Sequence, residues 1–456
     1  MEAKDSRRFF SCSFSQLLSW DFSSNYLYAI NYCSWPVIPL SEITTLRFEV
    51  SKKSEIENQQ VLLLDRISFD EGKVFAGNRV ETKMSQYKAY KGDIIVSKIN
   101  ARKGAIGVVE TDIPVGTTIH FRVLTPDNSR IDTKFLQQAL RSSFCRNQFE
   151  ILTGGQGKGE ISEKRLTSIE APFPPLPVQQ KIVAYWEAAI TKARLLEDQA
   201  RATIEESSHT FIHELGLSIP KKQESEKVFS AQWKDFDRWS VSYNQAAITM
   251  LDLSKGKYPV VELGAILDLV QYGTSEKTNS SGEGVCVIRM NNIVDGDLDL
   301  SNLKHLKVSK DIEESLKLLN RDILINRTNS KELVGKCAVF NKNETYIFAS
   351  YLIRLRVDAE KADPHFVAFT INSPIGRQQI NALSRQIIGQ ANINSQEIRS
   401  LKLPLPDLKV QQKLIQNAIQ ARQKAATLRI EAKEHMEKAS TELEQRILGT
   451  RSVENI

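Results

Sequence analysis

One proline-rich stretch occurs twice in the chain. Pro172-Phe173-Pro174-Pro175-Leu176-Pro177-Val178-Gln179-Gln180-Lys181-Ile182 is matched 232 residues later by Pro404-Leu405-Pro406-Asp407-Leu408-Lys409-Val410-Gln411-Gln412-Lys413-Leu414. Proline is excluded from helix interiors but suits the approach to a helix, so each copy predicts an extended segment running into one. Beyond the first copy, Ile182, Trp186, Ala189, Ala193, Leu196, Ala200, Thr203 and Ser207 recur at alternating steps of four and three, the spacing of a heptad seam. Leu414, Ala418, Ala421, Ala425, Leu428, Ala432, His435 and Ala439 repeat that seam at the same offset. Alanines there let two helix axes approach to the low end of the usual ~8–10 Å. Two unrelated amphipathic surface helices would not share spacing, lead-in and offset.

The segments before the helices repeat as well. Trp35-Pro36-Val37-Ile38-Pro39-Leu40 matches Tyr258-Pro259-Val260-Val261-Glu262-Leu263, and an aromatic–acid–Trp cluster precedes each (Trp20-Asp21-Phe22, and Phe236-Asp237-Arg238-Trp239). Gly92-Asp93-Ile94-Ile95-Val96 matches Arg321-Asp322-Ile323-Leu324-Ile325, a β-branched strand leaving a turn. A charged loop comes after each, Ser97 to Gly104 and Asn326 to Glu332, then strands at Ala105–Val109 and Cys337–Phe340 and at Thr118–Leu124 and Ser350–Val357. One helix is expected over Asp132–Phe149 and one over Asp363–Leu383, each leading to a Gly/Gln loop, Gly154–Ile161 or Ile388–Ile393. The fold class expected is α+β: two pseudo-symmetric α/β globules separated by two long antiparallel coiled-coil helices. The boundaries expected are 1–170 for the first globule, 171–217 for a Pro-rich lead-in and helix, 218–402 for the second globule and 403–456 for the second lead-in and helix. Lys221–Lys227 reads as the polar linker, and a helix over Val178–Leu215 would make a rod of roughly 55 Å at ~1.5 Å per residue.

A length of 456 residues predicts two or three domains, and 41% hydrophobic with 25% charged residues is ordinary for a soluble globular protein. The net charge of +6 permits a nucleic-acid partner without requiring one. Five cysteines (Cys12, Cys33, Cys145, Cys286, Cys337), an odd number without a CxxC pair, predict reduced, buried thiols in a cytoplasmic protein. No secretory signal opens the chain and no apolar run approaches the ~18 residues of a membrane span.

The motifs that carry catalysis are missing. Gly154-Gly155-Gln156-Gly157-Lys158-Gly159 has no GK[ST] ending, so it does not predict nucleotide binding. There is no HExxH. His209 and His213 share a helix face without a third ligand nearby, which reads as a solvated face rather than a metal site. Neither a G-x-S-x-G elbow nor an Asn/Asp-Pro-Pro-aromatic tetrapeptide of the amino-methyltransferase kind occurs.

What is present is basic, amide-rich and aromatic. Lys83, Tyr87, Lys88, Tyr90, Lys91, Lys98, Asn100, Arg102 and Lys103 cluster in the first half, and Arg289, Asn291, Asn292, Arg327, Asn329 and Lys331 around the equivalent strand of the second. The Gly/Gln loops add Gln156 and Lys158 in one half and Gln390 and Asn392 in the other. Lysine and arginine neutralise phosphates, while arginine, asparagine and glutamine can bond base edges. Any one of these residues could be a solvated surface residue; the set, placed twice on equivalent loops, predicts DNA reading.

A globule ending in a Pro-rich, Gln-Gln lead-in to a long helix, given twice, resembles the specificity subunit of type I restriction–modification enzymes. The resemblance covers the whole chain and rests most on Pro175–Lys181 and its duplicate; the second copy departs at Asp407-Leu408-Lys409. It implies two target-recognition domains reading a bipartite double-stranded DNA site, and no catalysis by this chain. Two methyltransferase subunits and then restriction motor–nuclease subunits would be its partners. S-adenosylmethionine, ATP and magnesium would belong to them. Their docking faces would include the outer faces of the helices, with Lys192, Arg194, Arg201, Glu205, Arg422, Arg429 and Glu434. A recognition subunit of a related type II system, a fused nuclease or methyltransferase, and a coiled-coil scaffold without DNA contact are the alternatives.

If the helices set the unread spacer between half-sites, inserting four residues after Ala200 adds ~6 Å and turns the helix only ~40° beyond a full turn. At ~3.4 Å per base pair this makes room for one or two base pairs, and the seam absorbs it as a stutter. Two inserted residues rotate the remainder of the helix by ~200° and throw Thr203 and Ser207 off the seam. Sequencing methylated sites from cells carrying each variant should show a longer gap for the first and lost assembly or activity for the second. An unchanged gap in the four-residue variant would remove the helices as the ruler.

Overall fold

The computed structural model describes residues 33–79, 82, 84–153, 159–219, 244, 250–387 and 390–453, with the backbone alone at 385–387. Cys12, the clusters at 20–22 and 236–239, the linker at 221–227, Lys83, Gln156 and Lys158 lie outside these residues. Two compact units are formed: one by the described residues up to Leu196 together with those from Ile430 onward, the other by Glu197–Arg429.

In the first unit, short helical turns aside, the order is β1 (Val37–Pro39), β2 (Thr44–Arg47), β3 (Leu62–Ile67), β4 (Val74–Gly77), β5 (Tyr87–Ala89), β6 (Ile94–Ser97), β7 (Ile106–Val108), β8 (Val115–Thr117) and β9 (Phe121–Pro126). Next come α1 (Thr133–Arg141), α2 (Ser143–Leu152), β10 (Glu170–Pro172) and the start of α3 (Leu176–Glu214). Strands β2-β9-β6-β7 form an antiparallel sheet, β4-β3-β8-β5 a mixed one in which β3 and β8 are parallel, and β1 pairs with β10. β6 is apolar on successive residues because both of its faces are covered. Ile94 and Val96 pack with Phe135, Leu136 and Leu140 of α1, while Ile95 packs with Val115 and Ile67 of the second sheet.

The second unit repeats this plan. Its strands are β11 (Val260–Glu262), β12 (Leu267–Tyr272), β13 (Val285–Ile288), β14 (Ile293–Val294), β15 (Asp297–Leu298), β16 (Lys304–Leu306), β17 (Ile323–Asn326), β18 (Thr328–Asn329), β19 (Cys337–Val339), β20 (Tyr346–Phe348) and β21 (Leu352–Val357). After them come α4 (Pro364–Asn372), α5 (Pro374–Leu383), β22 (Arg385–Ile387), β23 (Gln390–Asn392), β24 (Lys402–Pro404) and α6 (Leu408–Ile447). The order β12-β21-β17-β19 reproduces β2-β9-β6-β7, the parallel pair β13–β20 reproduces β3–β8, and β11–β24 reproduces β1–β10. Ile323 and Ile325 face the helices while Leu324 faces the second sheet. Each unit therefore has the α+β character expected.

The single helices expected at 132–149 and 363–383 are each broken in two. Ser142 and Ser373 sit between the halves in extended backbone (ψ 160° and 170°), and their hydroxyls accept from the N–H groups of Cys145 and Ile375. A serine that caps the next helix ends the previous one, and Pro374 then occupies a first-turn position where no N–H is needed.

The duplicated Gln-Gln pair has two different jobs. Gln179 is fully buried: its side-chain oxygen accepts from the Asp132 N–H at 2.7 Å and its amide donates to the Pro174 carbonyl at 2.8 Å. Gln411 does the same with the Asp363 N–H and the Pro406 carbonyl, at 2.8 Å each. Asp132 and Asp363 in turn cap α1 and α4. Gln180 and Gln412 are exposed. Asp407, where the second copy departs from the first, accepts from the Val410 N–H and caps α6.

Ala189, Ala193, Leu196, Ala200, Ala418, Ala425, Ala432 and Ala439 of the expected seam are buried. In the first unit the opening turns of α3 pack on the closing turns of α6, with Ile182 clustered with Leu443 and Ile447 and the Tyr185 hydroxyl donating to Glu442. Ser34 N–H donates to the Leu448 carbonyl, and the Trp35 ring N–H to that of Arg446. In the second unit Phe211 and Ile212 of α3 cluster with Leu414, Ile415 and Ala418 of α6. Lys192, Arg194, Arg201, Glu205, Arg429 and Glu434 are exposed as expected, Arg429 while paired with a carboxylate, and Arg422 is half-buried. The β14–β15 hairpin turns tightly on Asp295 and Gly296, both with positive φ; Asp295 pairs with Arg429 at 2.6 Å, and the Gly296 carbonyl accepts from Arg422.

Gln179→Leu or Gln411→Leu should cost about 1–3 kcal/mol for each buried group left unpaired. Gln180→Leu and Gln412→Leu, at exposed positions, should stay within about 0.5 kcal/mol of wild type. Thermal unfolding followed by circular dichroism checks the contrast.

Candidate nucleic-acid interface

The chain leaves β6 and β17 in the same way. Lys98 N–H donates to the His120 carbonyl at 2.9 Å, and the Lys98 carbonyl accepts from Ile161 N–H at 3.0 Å. Arg327 N–H donates to the Tyr351 carbonyl and its carbonyl accepts from Ile393 N–H, both at 2.9 Å. In each unit the backbone thus fixes one basic residue between the turn preceding β9 or β21 and the loop that leads back to the proline motif.

In the first unit Ser97 Oγ accepts from Asn100 N–H, a short 3₁₀ turn spans Ala101–Lys103, and Gly104 closes it in the left-handed region (φ 91°). A Cβ at Gly104 would meet the Phe69 carbonyl at 2.8 Å, so the turn requires glycine. Lys98 pairs with Glu160 at 2.5 Å, and His120 Nδ1–H donates to the other Glu160 oxygen at 2.7 Å. Arg102 donates to both Glu150 oxygens at 2.9 and 3.0 Å, and Lys103 is exposed. Tyr87 lies on β5 in a cleft with Arg47, Phe48, Phe121, Arg122 and Glu163. The expected cluster is partly consumed elsewhere: Lys88 bridges Glu49 and Glu55, and Lys91 pairs with Asp112.

In the second unit β18 pairs with β23, and β23 with β22, so Arg327, Asn329, Gln390 and Asn392 come together around one small sheet. The Arg327 guanidinium lies 4.9 Å from the Tyr272 ring centre, and the Thr328 hydroxyl donates to the Asn392 side chain at 2.6 Å. Gln390 and Lys331 are exposed, and the Asn329 side-chain oxygen accepts from Ser330 N–H. Arg289 and Asn291 stand apart, on the turn between β13 and β14. There Arg289 N–H donates to Asn292 and its guanidinium reaches the Asn302 carbonyl at 3.4 Å. Sequence patterns alone do not single out His120, Glu160, Tyr272 or Tyr351. The available signal is that Glu160 and Asn392 stand one repeat length of 232 residues apart.

Hydrogen bonding from Lys98, then from His120, holds the Glu160 carboxyl below the usual carboxylate range. Cys145 and Cys337 are buried as expected, but Cys33 and Cys286 are only half-buried; burial pushes the Cys337 thiol up to about 12, consistent with an inert core cysteine. Among the described residues no group of three or more His, Cys, Asp or Glu is placed to hold a metal ion. No helix among them is long and apolar enough to cross a membrane.

Residues 52–206 and 244–433 match the type I restriction modification DNA specificity domain. The chain belongs to that family. Similar members of this specificity family include the type I restriction enzyme EcoKI specificity subunit of Escherichia coli (strain K12), 24% identical over 409 residues that span 85% of this chain and 82% of that one. The StySPI specificity subunit of Salmonella potsdam is 24% identical over 405 residues, 85% of this chain and 81% of the relative. A solved chain from work on complex assembly and conformational transition of the type I R-M system shares the fold, with a TM-score of 0.51 and 17% identity over 91% of this chain and 96% of its own.

Because folding favours the ionised form of Glu160, its stabilisation is complete above the unfolded carboxyl pKa of about 4.3 and is lost as pH falls through the lower folded value. Wild type should melt above Glu160→Gln at neutral pH, and the gap should close on acidification below about pH 4.3. Melting curves of both proteins across pH test this; a gap that persists unchanged in acid would mean that the carboxylate is not its source.

Proposed function

We propose that this chain is the non-catalytic, DNA-reading specificity subunit of a type I restriction–modification complex. Each unit reads one half of a bipartite double-stranded site. The observation that carries this is the strand-end arrangement built twice on one backbone plan, with a lysine in one unit and an arginine in the other. Cations suit phosphate and guanine, and amides suit adenine, so equivalent frames bearing different side chains suit two half-sites of different sequence. The residues assigned to contact are Lys83, Tyr87, Lys98, Asn100, Arg102, Lys103, Gln156 and Lys158 in one half, and Arg289, Asn291, Arg327, Asn329, Lys331, Gln390 and Asn392 in the other.

In this reading the recognition domains are 1–170 and 218–402, and the helical segments 171–217 and 403–456 place two methyltransferase subunits and the restriction motor–nuclease subunits in the cytoplasm. S-adenosylmethionine, ATP and magnesium act on those partners, so this chain alone neither methylates nor cuts DNA. Exchanging residues 1–168 for the first domain of another family member should change one half-site in the methylome and leave the other intact. Loss of both specificities together, or methylation or cleavage by the pure chain with cofactors supplied, would contradict the proposal.

A further inference from the structure

We propose that Glu160 is a specificity-determining acceptor of the first unit, reading the amino group of one base; the inference rests on the DNA-reading function proposed above. An ionised carboxylate only accepts hydrogen bonds, and phosphates repel it. Its partners on duplex DNA are therefore amino groups: cytosine N4 and adenine N6 in the major groove, guanine N2 in the minor.

The side chain is held for that purpose before DNA arrives. Lys98, whose own side chain is only 13% exposed, bonds one oxygen, and His120 bonds the other, while the Glu160 side chain stays 36% exposed. Two directional bonds remove most of the ordering cost that a free glutamate would meet on binding. His120 is itself braced from both sides. Arg122 donates to the carbonyls of Ile119 and Phe121 at 3.0 and 2.8 Å, and its Nε–H donates to Glu163 at 2.9 Å. Arg122 is thus a positioning residue, Lys98 holds Glu160 in addition to the contact assigned to it above, and Glu160 is the group presented.

The second unit shows what differs. Asn392 stands at the position equivalent to Glu160, its side-chain oxygen taken by Thr328, which leaves the amide NH₂ to donate. One unit offers an acceptor where the other offers a donor, on the same backbone frame.

The test uses cells that carry the full chain with its partner subunits, wild type or Glu160→Gln, and reads the methylated motif by sequencing. Wild type should give one bipartite motif. The variant should lose discrimination at a single position of one half-site by roughly 10- to 100-fold, with the other half-site unchanged. The base favoured there by wild type names the amino group: cytosine, adenine or, for a minor-groove approach, guanine. An unaltered motif, or equal relaxation across the whole half-site, overturns the inference. If the variant abolishes methylation, the affinity of the purified complex for the wild-type motif and its single-base variants decides. Discrimination lost at one position supports the assignment, and loss at all positions overturns it. A wild-type chain that yields no gene-dependent motif would instead overturn the DNA-reading function itself.

Discussion

A buried primary amide organises each unit. At Gln179 the proline lead-in, the first turn of the long helix and the N-terminus of α1 meet on one side chain, and at Gln411 the same three parts meet again. Buried amides are costly unless their donors and acceptors are matched, so the arrangement is strongly specified once formed. The strand half of the motif adds direction: β10 and β24 pair with β1 and β11, which aligns the chain before the helix begins. Helix, ribbon and sheet then have one mutual orientation within a unit.

Whatever repeats with a short period or a fixed offset is legible in the sequence. The seam alanines, the doubly buried strands at Ile94 and Ile323 and the lead-ins all show because burial imposes a spacing. The breaks at Ser142 and Ser373 do not, since a serine between apolar helical runs has the same spacing whether it caps a helix or sits inside one. The partners of Lys98 and Arg102 are equally hidden: Glu160 and Glu150 are distant in sequence, and no local pattern brings them back. Arg422 and Arg429 both read as solvent-facing charges, and nothing near them in sequence announces the hairpin that bonds both and half-buries Arg422. Gln179 leaves a trace, a polar residue one step before Ile182 on the seam register, duplicated without change at Gln411.

The two units also show how far a frame can be kept while its chemistry changes. The same backbone hydrogen bonds hold the main chain at Lys98 and at Arg327, whichever side chain stands there. The turn before the central strand is left-handed in both, with φ 89° at Gly92 and 76° at Arg321. A non-glycine residue is strained there, and Arg321 offsets part of that strain through its ion pair with Asp363, the cap of α4 and the partner of Gln411.

The interleaving of the first unit has a consequence for how such a chain is made. Its core includes Leu443, Ile447 and Val453, and residues 34 and 35 bond to carbonyls at 448 and 446. Ribosomal synthesis makes the whole of Glu197–Arg429 before those turns. All residues of the second unit are therefore made while the first still lacks part of its core, and the first can close only once the stretch through Val453 has been added.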